Sequence, residues 1–303
     1  MSDGRRTTAY LAFAAFCCLS SSRDVLSEFL FKDKLYDANP VFILFVYSAV
    51  TQAVAVITWL GGLIVGPAKP EFHLQVIGKE VLLLNFFTLM AFLFYFMAID
   101  SPVGAAVNSF VDYGSSPIFT AIIGVILMGE RLDKAFLLTA TIAGVGIVVL
   151  AAPRLHVDSV HLGILGLVLA LLSSLSSGFY RVYFKVLLEK GLSKSAIVFL
   201  RLMAITLLLG GILFVRPELF RADILFKTAL IGVLGFAIPL FLALGALQRL
   251  AVRSYAMLLF LLPALTYALS ASFGYGQLYV SDLLAGGLIV LGVAIHETLV
   301  KEH

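Results

Sequence analysis

Residues 41–65 read VFILFVYSAVTQAVAVITWLGGLIV, an apolar run without a single charged side chain. A helix needs about 20 predominantly apolar residues to cross the hydrocarbon core of a bilayer, so this run is long enough. A helix is also the form in which such a segment satisfies its backbone hydrogen bonds without water. The stretch therefore predicts a transmembrane helix.

Similar apolar runs occur along the whole chain of 303 residues. Turn-forming pairs such as Asn39-Pro40 and Ser101-Pro102 separate them. The predicted spans, ten in all, cover residues 8–31, 41–65, 77–98, 103–128, 134–152, 163–187, 195–215, 226–247, 251–274 and 281–300. The predicted fold class is an all-α membrane protein with ten transmembrane helices.

The composition agrees with a membrane protein and excludes several functions. Hydrophobic residues make up 61% of the chain, charged residues 13%, and the mean hydropathy is +1.05, whereas soluble domains contain roughly 25% charged residues. A net charge of +3 is too small to indicate nucleic-acid binding. The adjacent Cys17 and Cys18 cannot join distant segments by disulfides. Because motifs for phosphate loops, paired metal ligands and nucleophiles are absent, we expect neither an enzyme nor a bound cofactor or metal.

The distribution of Lys and Arg predicts the orientation. With the N-terminus inside, the inner loops hold twice as many basic residues as the outer loops. This asymmetry favours a multi-pass protein of the cytoplasmic (inner) membrane with both termini in the cytoplasm. The apolar stretch after Arg5-Arg6 is too long for a signal peptide and holds charges, so we interpret it as a retained first helix.

The two halves of the chain resemble each other. Pro117 precedes Gly146 by the same number of residues as Pro263 precedes Gly292. Five helices per copy is an odd number, so the second copy must run inverted, as in many secondary transporters. We predict one repeat at residues 1–153 and an inverted one at 154–303. Chance matching between Leu- and Gly-rich helices is the alternative.

Residues 115–132, SSPIFTAIIGVILMGERL, resemble the Pro-to-Gly-Glu-Arg-Leu segment of EamA-type transporters of the drug/metabolite transporter (DMT) superfamily. The resemblance extends over essentially the whole chain. It implies ten helices, cytoplasmic termini, and a central cavity lined by helices 1, 3, 4, 6, 8 and 9. It also implies transport of small metabolites, often export, and a structural role for Glu130 at the end of helix 4.

The chain departs from this family at two places. Ser20 to Asp24 occupy the region of helix 1 where the family commonly has Trp, and Gln277 replaces the Glu of the second repeat. The first departure suggests a ligand more polar than the usual substrates.

Charged side chains in the predicted helix 1 are the strongest functional signal. Arg23 lies about 22 Å along a helix that starts at Thr8, and Asp24 and Glu28 share one face. Ionisable groups at this depth usually face a cavity, so all three are candidate substrate ligands. A structural ion pair, or a helix that ends before Arg23, is the alternative.

Helix 4 supplies the candidate ligands Asn108, Asp112 and Tyr113. Asn108 and Asp112 share a face, and Asp112 reaches a depth close to that of Arg23, so the two are candidates for a contact. Asp112 is also a candidate proton carrier, because an apolar medium disfavours the ionised carboxylate. A helix-packing hydrogen bond is the alternative role.

Helices 6 and 7 each carry one arginine near the cytoplasmic end. Arg181, with Tyr180 beside it, is a candidate receptor for a substrate carboxylate or phosphate. Both Arg181 and Arg201 are alternatively long side chains that extend to the lipid headgroups.

Prolines inside the spans interrupt the helical hydrogen bonds and create hinges or exposed carbonyls. Pro117, Pro239 and Pro263 are therefore candidate structural or hinge residues.

We interpret the sequence as a secondary active transporter, exporting by alternating access. The expected substrate is a small zwitterion or carboxylate, such as an amino acid, an amino-acid derivative or an opine-like metallophore. Protons are a candidate coupling ion, the lipid bilayer is the expected surrounding, and the oligomeric state is open. A channel, a lipid or drug efflux protein and, less favoured, a membrane enzyme are the alternatives.

Overall fold

The computed structural model describes residues 3–31, 39–65, 74–99, 104–131, 134–151, 160–272 and 280–301. Within these ranges the chain is entirely helical and forms no strand. The helices are α1 Asp3–Phe31, α2 Pro40–Val65, α3 Leu74–Ile99, α4 Gly104–Met128, α5 Lys134–Ala151, α6 Val160–Glu189, α7 Lys194–Val215, α8 Leu225–Gly232, α9 Ile238–Leu247, α10 Val252–Leu259, α11 Leu261–Ser272 and α12 Val280–Lys301.

These helices coincide closely with the ten predicted apolar segments. The predicted segment 226–247 contains α8 and α9, and 251–274 contains α10 and α11. Five helical stretches in the described part are long and apolar enough to cross a bilayer: Pro40–Gly62, Gly78–Ala98, Ile164–Glu189, Lys194–Val215 and Pro217–Leu247. Shorter apolar helices lie at Thr7–Ser22, Gly114–Met128, Phe136–Gly146 and Gly286–Ile295. The described part of the chain is thus all-helical and contains five candidate membrane spans.

One compact unit contains Met1–Phe86 and Tyr183–Arg249. Here α2 packs along α7, and α1 packs on α9. Its buried core joins α2, α7 and α8 through Phe42, Val46, Leu213 and Ile231. A Cβ on Gly210 would meet the ring of Phe45 at 3.1 Å, so the two helices approach closely there. We call this part unit 1.

A second compact unit, unit 2, contains Phe87–Val182 and Leu250–His303. In it α12 packs on α5, and α10 packs on α4. A small apolar cluster of Ala98, Leu169 and Ala170, packed with Phe94 and Val111, joins α3, α6 and α4. Each unit combines segments from both halves of the chain. The division into repeats at residue 153 is a different grouping and stays a prediction.

The three candidate hinge prolines have different effects on the backbone. Helix α4 runs through Pro117 without a break. Before Pro239 the helix widens into a π-helical turn at Val233–Ala237, the kind of irregularity that often marks functional positions. Phe260 separates α10 from α11 three residues before Pro263, because proline clashes with the carbonyl four residues earlier.

Candidate functional site

Several predicted site residues lie outside the described side chains. Arg23, Asp24 and Glu28 fall on the last part of α1, and Asn108 and Tyr113 fall on α4. The ring of Pro263 in α11 and the whole of Gln277 are likewise outside the description. The proposed ligand roles of these residues, and a contact between Arg23 and Asp112, therefore stay predictions.

Asp112 is a buried carboxyl on α4, with 9% of its surface exposed. The hydroxyl oxygen of Ser174 on α6 lies 3.1 Å from its Oδ1. Val111, which precedes Asp112, and Ala170, four residues before Ser174, belong to the apolar cluster of unit 2. A polar pair is thus held between α4 and α6 in apolar surroundings, where a hydrogen bond to a carboxyl is strong and its loss costly.

A run of serines on α6 surrounds this pair. Ser173 donates to the carbonyl of Ala91 on α3 at 3.0 Å, whereas Ser176 donates to Leu172 within its own helix at 2.8 Å. Ser173, Ser174, Ser176 and Ser177 are all buried. Ser173 and Ser174 therefore tie α6 to its neighbours, and Ser176 does not.

Arg181 lies further along α6, half-buried. Its guanidinium carbon is 5.5 Å from the centre of the Tyr180 ring, within the range of a cation–π contact. The two candidates from helix 6 are therefore in contact with each other.

Glu130 binds the beginning of α10. Its Oε1 accepts the N–H of Val252 at 2.8 Å, and its Oε2 accepts the N–H of Arg253 at 3.0 Å. The first N–H groups of a helix have no partner within the helix, and Ala251 at the N-cap has no side-chain oxygen to supply one. The guanidinium of Arg253 donates in return to the carbonyl of Arg131 at 3.0 Å. Glu130 thus caps a helix that lies far from it in sequence.

Unit 1 holds two further buried polar side chains, Asn85 and Arg201. The amide of Asn85 on α3 donates to the carbonyl of Leu200 at 2.8 Å and accepts the N–H of Ala204 at 3.1 Å. Helical geometry pairs those two α7 groups with each other. Arg201 lies between them in sequence, with 4% of its surface exposed and its guanidinium carbon 5.1 Å from the Phe184 ring centre.

Basic residues at the end of α6 and just after it bind other helices of unit 1. Lys190 pairs with Glu80 of α3. Lys185 donates to the carbonyl of Leu247 at 3.0 Å, at the end of α9, where a cation complements the helix dipole. These contacts bind helix ends together and explain several of the basic residues that the topology prediction counts. Among the described residues, His, Cys, Asp and Glu side chains form no group able to hold a metal ion.

A comparison with known families finds a match for part of this chain. Residues 164–296, which run from α6 to α12, match the family model of the EamA-like transporter family. This segment belongs to the EamA-like transporter family. That family is part of the DMT superfamily, whose members are membrane transporters and not enzymes.

A similar fold occurs in a solved structure. A crystal structure described only as "Crystal structure of protein" is similar with a TM-score of 0.77 at 20% sequence identity. The similarity covers 97% of this chain and 98% of the other, so the helical arrangement is shared over the full length. No curated protein matches the chain.

Three polar residues are not among the site candidates of the sequence analysis: Ser174, Asn85 and Arg201. Arg201 is buried, so it does not extend to the lipid headgroups, the role that the sequence suggested for it. A signal was present for Asn85, since an amide inside an apolar span must find partners in a neighbouring helix. Ser174 carries no such signal, because serine in a helix usually bonds its own backbone.

Proposed function

We propose that this protein is a secondary active transporter that exports a small polar or zwitterionic metabolite across the cytoplasmic membrane by alternating access. The observation that carries the proposal is the match of residues 164–296 to the EamA-like transporter family. The proposed architecture has ten transmembrane helices in two inverted repeats, with both termini in the cytoplasm. The export direction rests on the family resemblance.

Ionisable side chains in apolar helices support a polar substrate. Asp112 and Arg201 are buried within the helical units, and Arg23, Asp24 and Glu28 belong to α1. Such groups are costly at membrane depth and commonly line substrate or ion pathways. A transporter of purely apolar compounds has no need of them.

Irregular backbone supports movement within the helices. The π-helical turn at Val233–Ala237 precedes Pro239, and the helix breaks at Phe260 before Pro263. Interrupted helices of transporters bend at such positions and expose carbonyls toward a cavity. We propose these two positions as the hinges of alternating access.

A zwitterionic substrate fits the charges of α1. Arg23 and Asp24 are adjacent, so they point about 100° apart on the helix and meet different groups. The proposed binding mode places the substrate carboxylate on Arg23 and its ammonium group on Asp24 or Glu28. Arginine suits a carboxylate because its planar fork bonds both oxygens.

The substrate class is tested first with a panel of ligands. Common amino acids and amino-acid derivatives bearing several carboxylates are screened for stabilisation of the purified protein against thermal unfolding, because a bound ligand stabilises the folded state by mass action. Transport of a panel member that stabilises the protein is then measured in liposomes that contain the protein. Stabilisation only by apolar drugs or lipids would contradict the proposed substrate. Flux that does not saturate would indicate a channel.

Arg23 provides the decisive variants. With the stabilising panel member as the probe, Arg23→Ala is expected to weaken binding roughly 10- to 100-fold, since hydrogen bonds to charged groups contribute about 1.5–3 kcal/mol. Arg23→Lys keeps the charge but loses the bidentate geometry, so its affinity is expected to lie between that of the parent protein and that of Arg23→Ala. Calorimetry on the purified variants measures both.

The matched control for this test is Arg221→Lys. Arg221 also bonds a carboxylate with two nitrogens, Nε and Nη2 each 2.9 Å from an oxygen of Asp223, but it lies in the connection between α7 and α8. Its replacement is expected to leave binding unchanged. Parent-like binding and transport by Arg23→Ala would make Arg23 structural and remove the main support for a zwitterion.

A further inference from the structure

We propose that Lys194 and Arg249, at one end of unit 1, bind the phosphate of an anionic phospholipid headgroup. Lys194 is the first residue of α7, and Arg249 follows the last residue of α9 by two positions. We call these two residues the basic pair. The inference goes beyond the proposed transport function and does not depend on the transported compound.

Lys194 extends from α7 to α9. Its ammonium nitrogen lies 3.5 Å from the position that a Cβ on Gly245 would occupy, so the glycine leaves room for the lysine. The side chain of Lys194 is half-buried, and Arg249 lies near enough that the two positive charges repel each other. Burial and repulsion both disfavour a charged group. An anion that contacts both side chains would offset these costs.

The carboxylates at this end of unit 1 pair with other lysines. Glu80 at the start of α3 pairs with Lys190, and Glu189 at the end of α6 lies 3.8 Å from Lys185. The ion pairs among the described residues include neither member of the basic pair. These carboxylates therefore leave the charge of the basic pair in place.

The positive charge at this end exceeds the negative charge. Its described side chains comprise five cations and two carboxylates, a net charge of +3: Lys79, Lys185, Lys190, Lys194 and Arg249 against Glu80 and Glu189. The side chains of Asp3, Arg5 and Arg6 on α1 lie outside the description, and their sum is positive as well. The end of unit 1 thus complements an anion.

The helix ends in this region are bonded without the basic pair. Lys185 donates to the carbonyl of Leu247 at 3.0 Å and lies 3.5 Å from that of Gln248, so it already places a cation at the negative end of α9. The hydroxyl of Ser193 accepts the N–H of Ala196 at 3.2 Å and caps the first turn of α7. Capping therefore does not account for the basic pair.

The depth of the basic pair indicates a lipid rather than a dissolved anion. Lys194 begins the apolar stretch Lys194–Val215, and Arg249 comes two residues after the stretch Pro217–Leu247. Both stretches are long and apolar enough to cross a bilayer, so the residues that flank them lie at the level of the headgroups. Basic groups at that level attract anionic lipids, and basic pockets between membrane helices bind their headgroups.

A phosphate suits the two side chains in different ways. The planar guanidinium of Arg249 can bond two phosphate oxygens, whereas the ammonium of Lys194 acts as a point charge. The two cations belong to helices that pack on each other within unit 1. A headgroup bound to both therefore stabilises the packing of α7 on α9.

The test uses the whole protein, purified in a nonionic detergent at low salt. Phosphatidylglycerol is added to the micelles as the anionic lipid, and phosphatidylcholine with the same acyl chains as the lipid without net charge. Phosphatidylglycerol is expected to raise the unfolding temperature more than phosphatidylcholine does, because a ligand of the folded state stabilises it by mass action. Equal effects of the two lipids would overturn the proposal.

Lys194→Gln and Arg249→Gln each remove one cation of the pair. Each is expected to raise the phosphatidylglycerol concentration at half-maximal stabilisation about fivefold, and the double variant about 25-fold, from the usual contribution of a basic residue near an anionic membrane surface. Lys194→Arg keeps the charge and is expected to respond as the parent does. Arg249 is exposed, so Arg249→Gln tests the site without altering a buried side chain. A parent-like response of the double variant would overturn the proposal.

The matched control is the double variant Arg216→Gln/Lys227→Gln. Both residues are exposed and lie at the other ends of the same apolar stretches, Arg216 after α7 and Lys227 in the first turn of α8. Its loss of charge equals that of Lys194→Gln/Arg249→Gln, yet its response to phosphatidylglycerol is expected to match the parent's. Equal losses in the two double variants would show an effect of total charge and overturn the site.

Inorganic phosphate distinguishes a lipid site from a site for dissolved anions. At millimolar concentration and constant ionic strength, phosphate in place of chloride is expected to leave the unfolding temperature unchanged. Stabilisation by phosphate that disappears in Lys194→Gln/Arg249→Gln would overturn the lipid assignment in favour of a dissolved anion. Because no transported metabolite enters the assay, its failure leaves the transport proposal standing, and failure of transport leaves the lipid site standing.

Discussion

Gly178 of α6 lies so close to α4 that a single methyl group has no room. A Cβ built there would meet the backbone carbonyl carbon and Cβ of Phe119, and Cδ1 of Ile123, each at 3.0 Å. Backbone atoms cannot move aside as the end of a flexible side chain can. Small residues at such positions let membrane helices approach and pack, and this approach brings the serines of α6 to α4.

We predict that Gly178→Ala destabilises the protein by about 1–3 kcal/mol, the usual cost of overpacking. Its control is Gly211→Ala in α7, where a Cβ would have no neighbour within 4 Å. Since alanine is the better helix former by up to about 1 kcal/mol, the control is expected to unfold at the parent temperature or above. Thermal unfolding in detergent measures both. Equal unfolding temperatures for the two variants would contradict the close packing.

At the scale of elements, one loop joins α4 to α10. Helix α4 ends at Met128, and Gly129 adopts φ +68°, a left-handed conformation that glycine adopts at little cost. The chain turns there and directs Glu130 to the first N–H groups of α10. The carboxylate also lies at the positive end of the α10 dipole.

We predict that Glu130→Ala destabilises the protein by roughly 1–2 kcal/mol, the range for loss of an N-cap. Glu130→Gln keeps one acceptor oxygen, so its loss is smaller. Hydrogen exchange at the amides of Val252 and Arg253 is expected to accelerate in both variants, with the larger effect in Glu130→Ala.

The control for the cap is Glu189→Ala. Glu189 is an exposed carboxylate that lies 3.8 Å from Lys185 on the same helix, and surface pairs of this kind contribute little. The Glu189→Ala protein is expected to unfold at the same temperature as the parent protein. If Glu130→Ala and Glu189→Ala unfold at the same temperature, the cap does not stabilise α10.

At the scale of the whole molecule, the orientation of the chain is the testable quantity. Ten spans with the N-terminus inside place the end of α7, an odd-numbered span, outside, and the ends of even-numbered spans inside. Fusions of a reporter after Val215 are therefore predicted to report the outside, and fusions after His303 the inside. A fusion after Glu189, at the end of α6, serves as the matched inside control.

Enzymatic reporters that are active on one side of the membrane check this prediction. A C-terminus outside the cytoplasm would refute the ten-helix topology. Inside activity after Val215 together with inside activity after Glu189 would show that α7 does not cross the membrane. The physical reason for the expected result is the excess of Lys and Arg in the loops on the cytoplasmic side.

The amino-acid sequence by itself determined where the helices lie. A helix bonds its own backbone over four residues, so a local apolar run carries enough information, and the ten predicted segments coincide with the observed helices. The sequence likewise singled out Asp112, because a carboxyl at membrane depth is unusual, and the family resemblance singled out Glu130. A continuous motif at residues 115–132 resembles the EamA-type family, and the family model matches residues 164–296.

Only the tertiary structure decided which side chains meet. Asp112 and Ser174 are 62 residues apart, Asn85 and Leu200 are 115 apart, and Glu130 and Val252 are 122 apart. The rotation of one helix against another and their relative depth determine these contacts. The spacing of apolar residues within a single helix specifies neither of them. For the same reason Arg201 is buried rather than extended to the headgroups, and Pro117 lies in a continuous helix while α10 and α11 separate before Pro263. Neighbouring helices decide whether a freed backbone group finds a new partner.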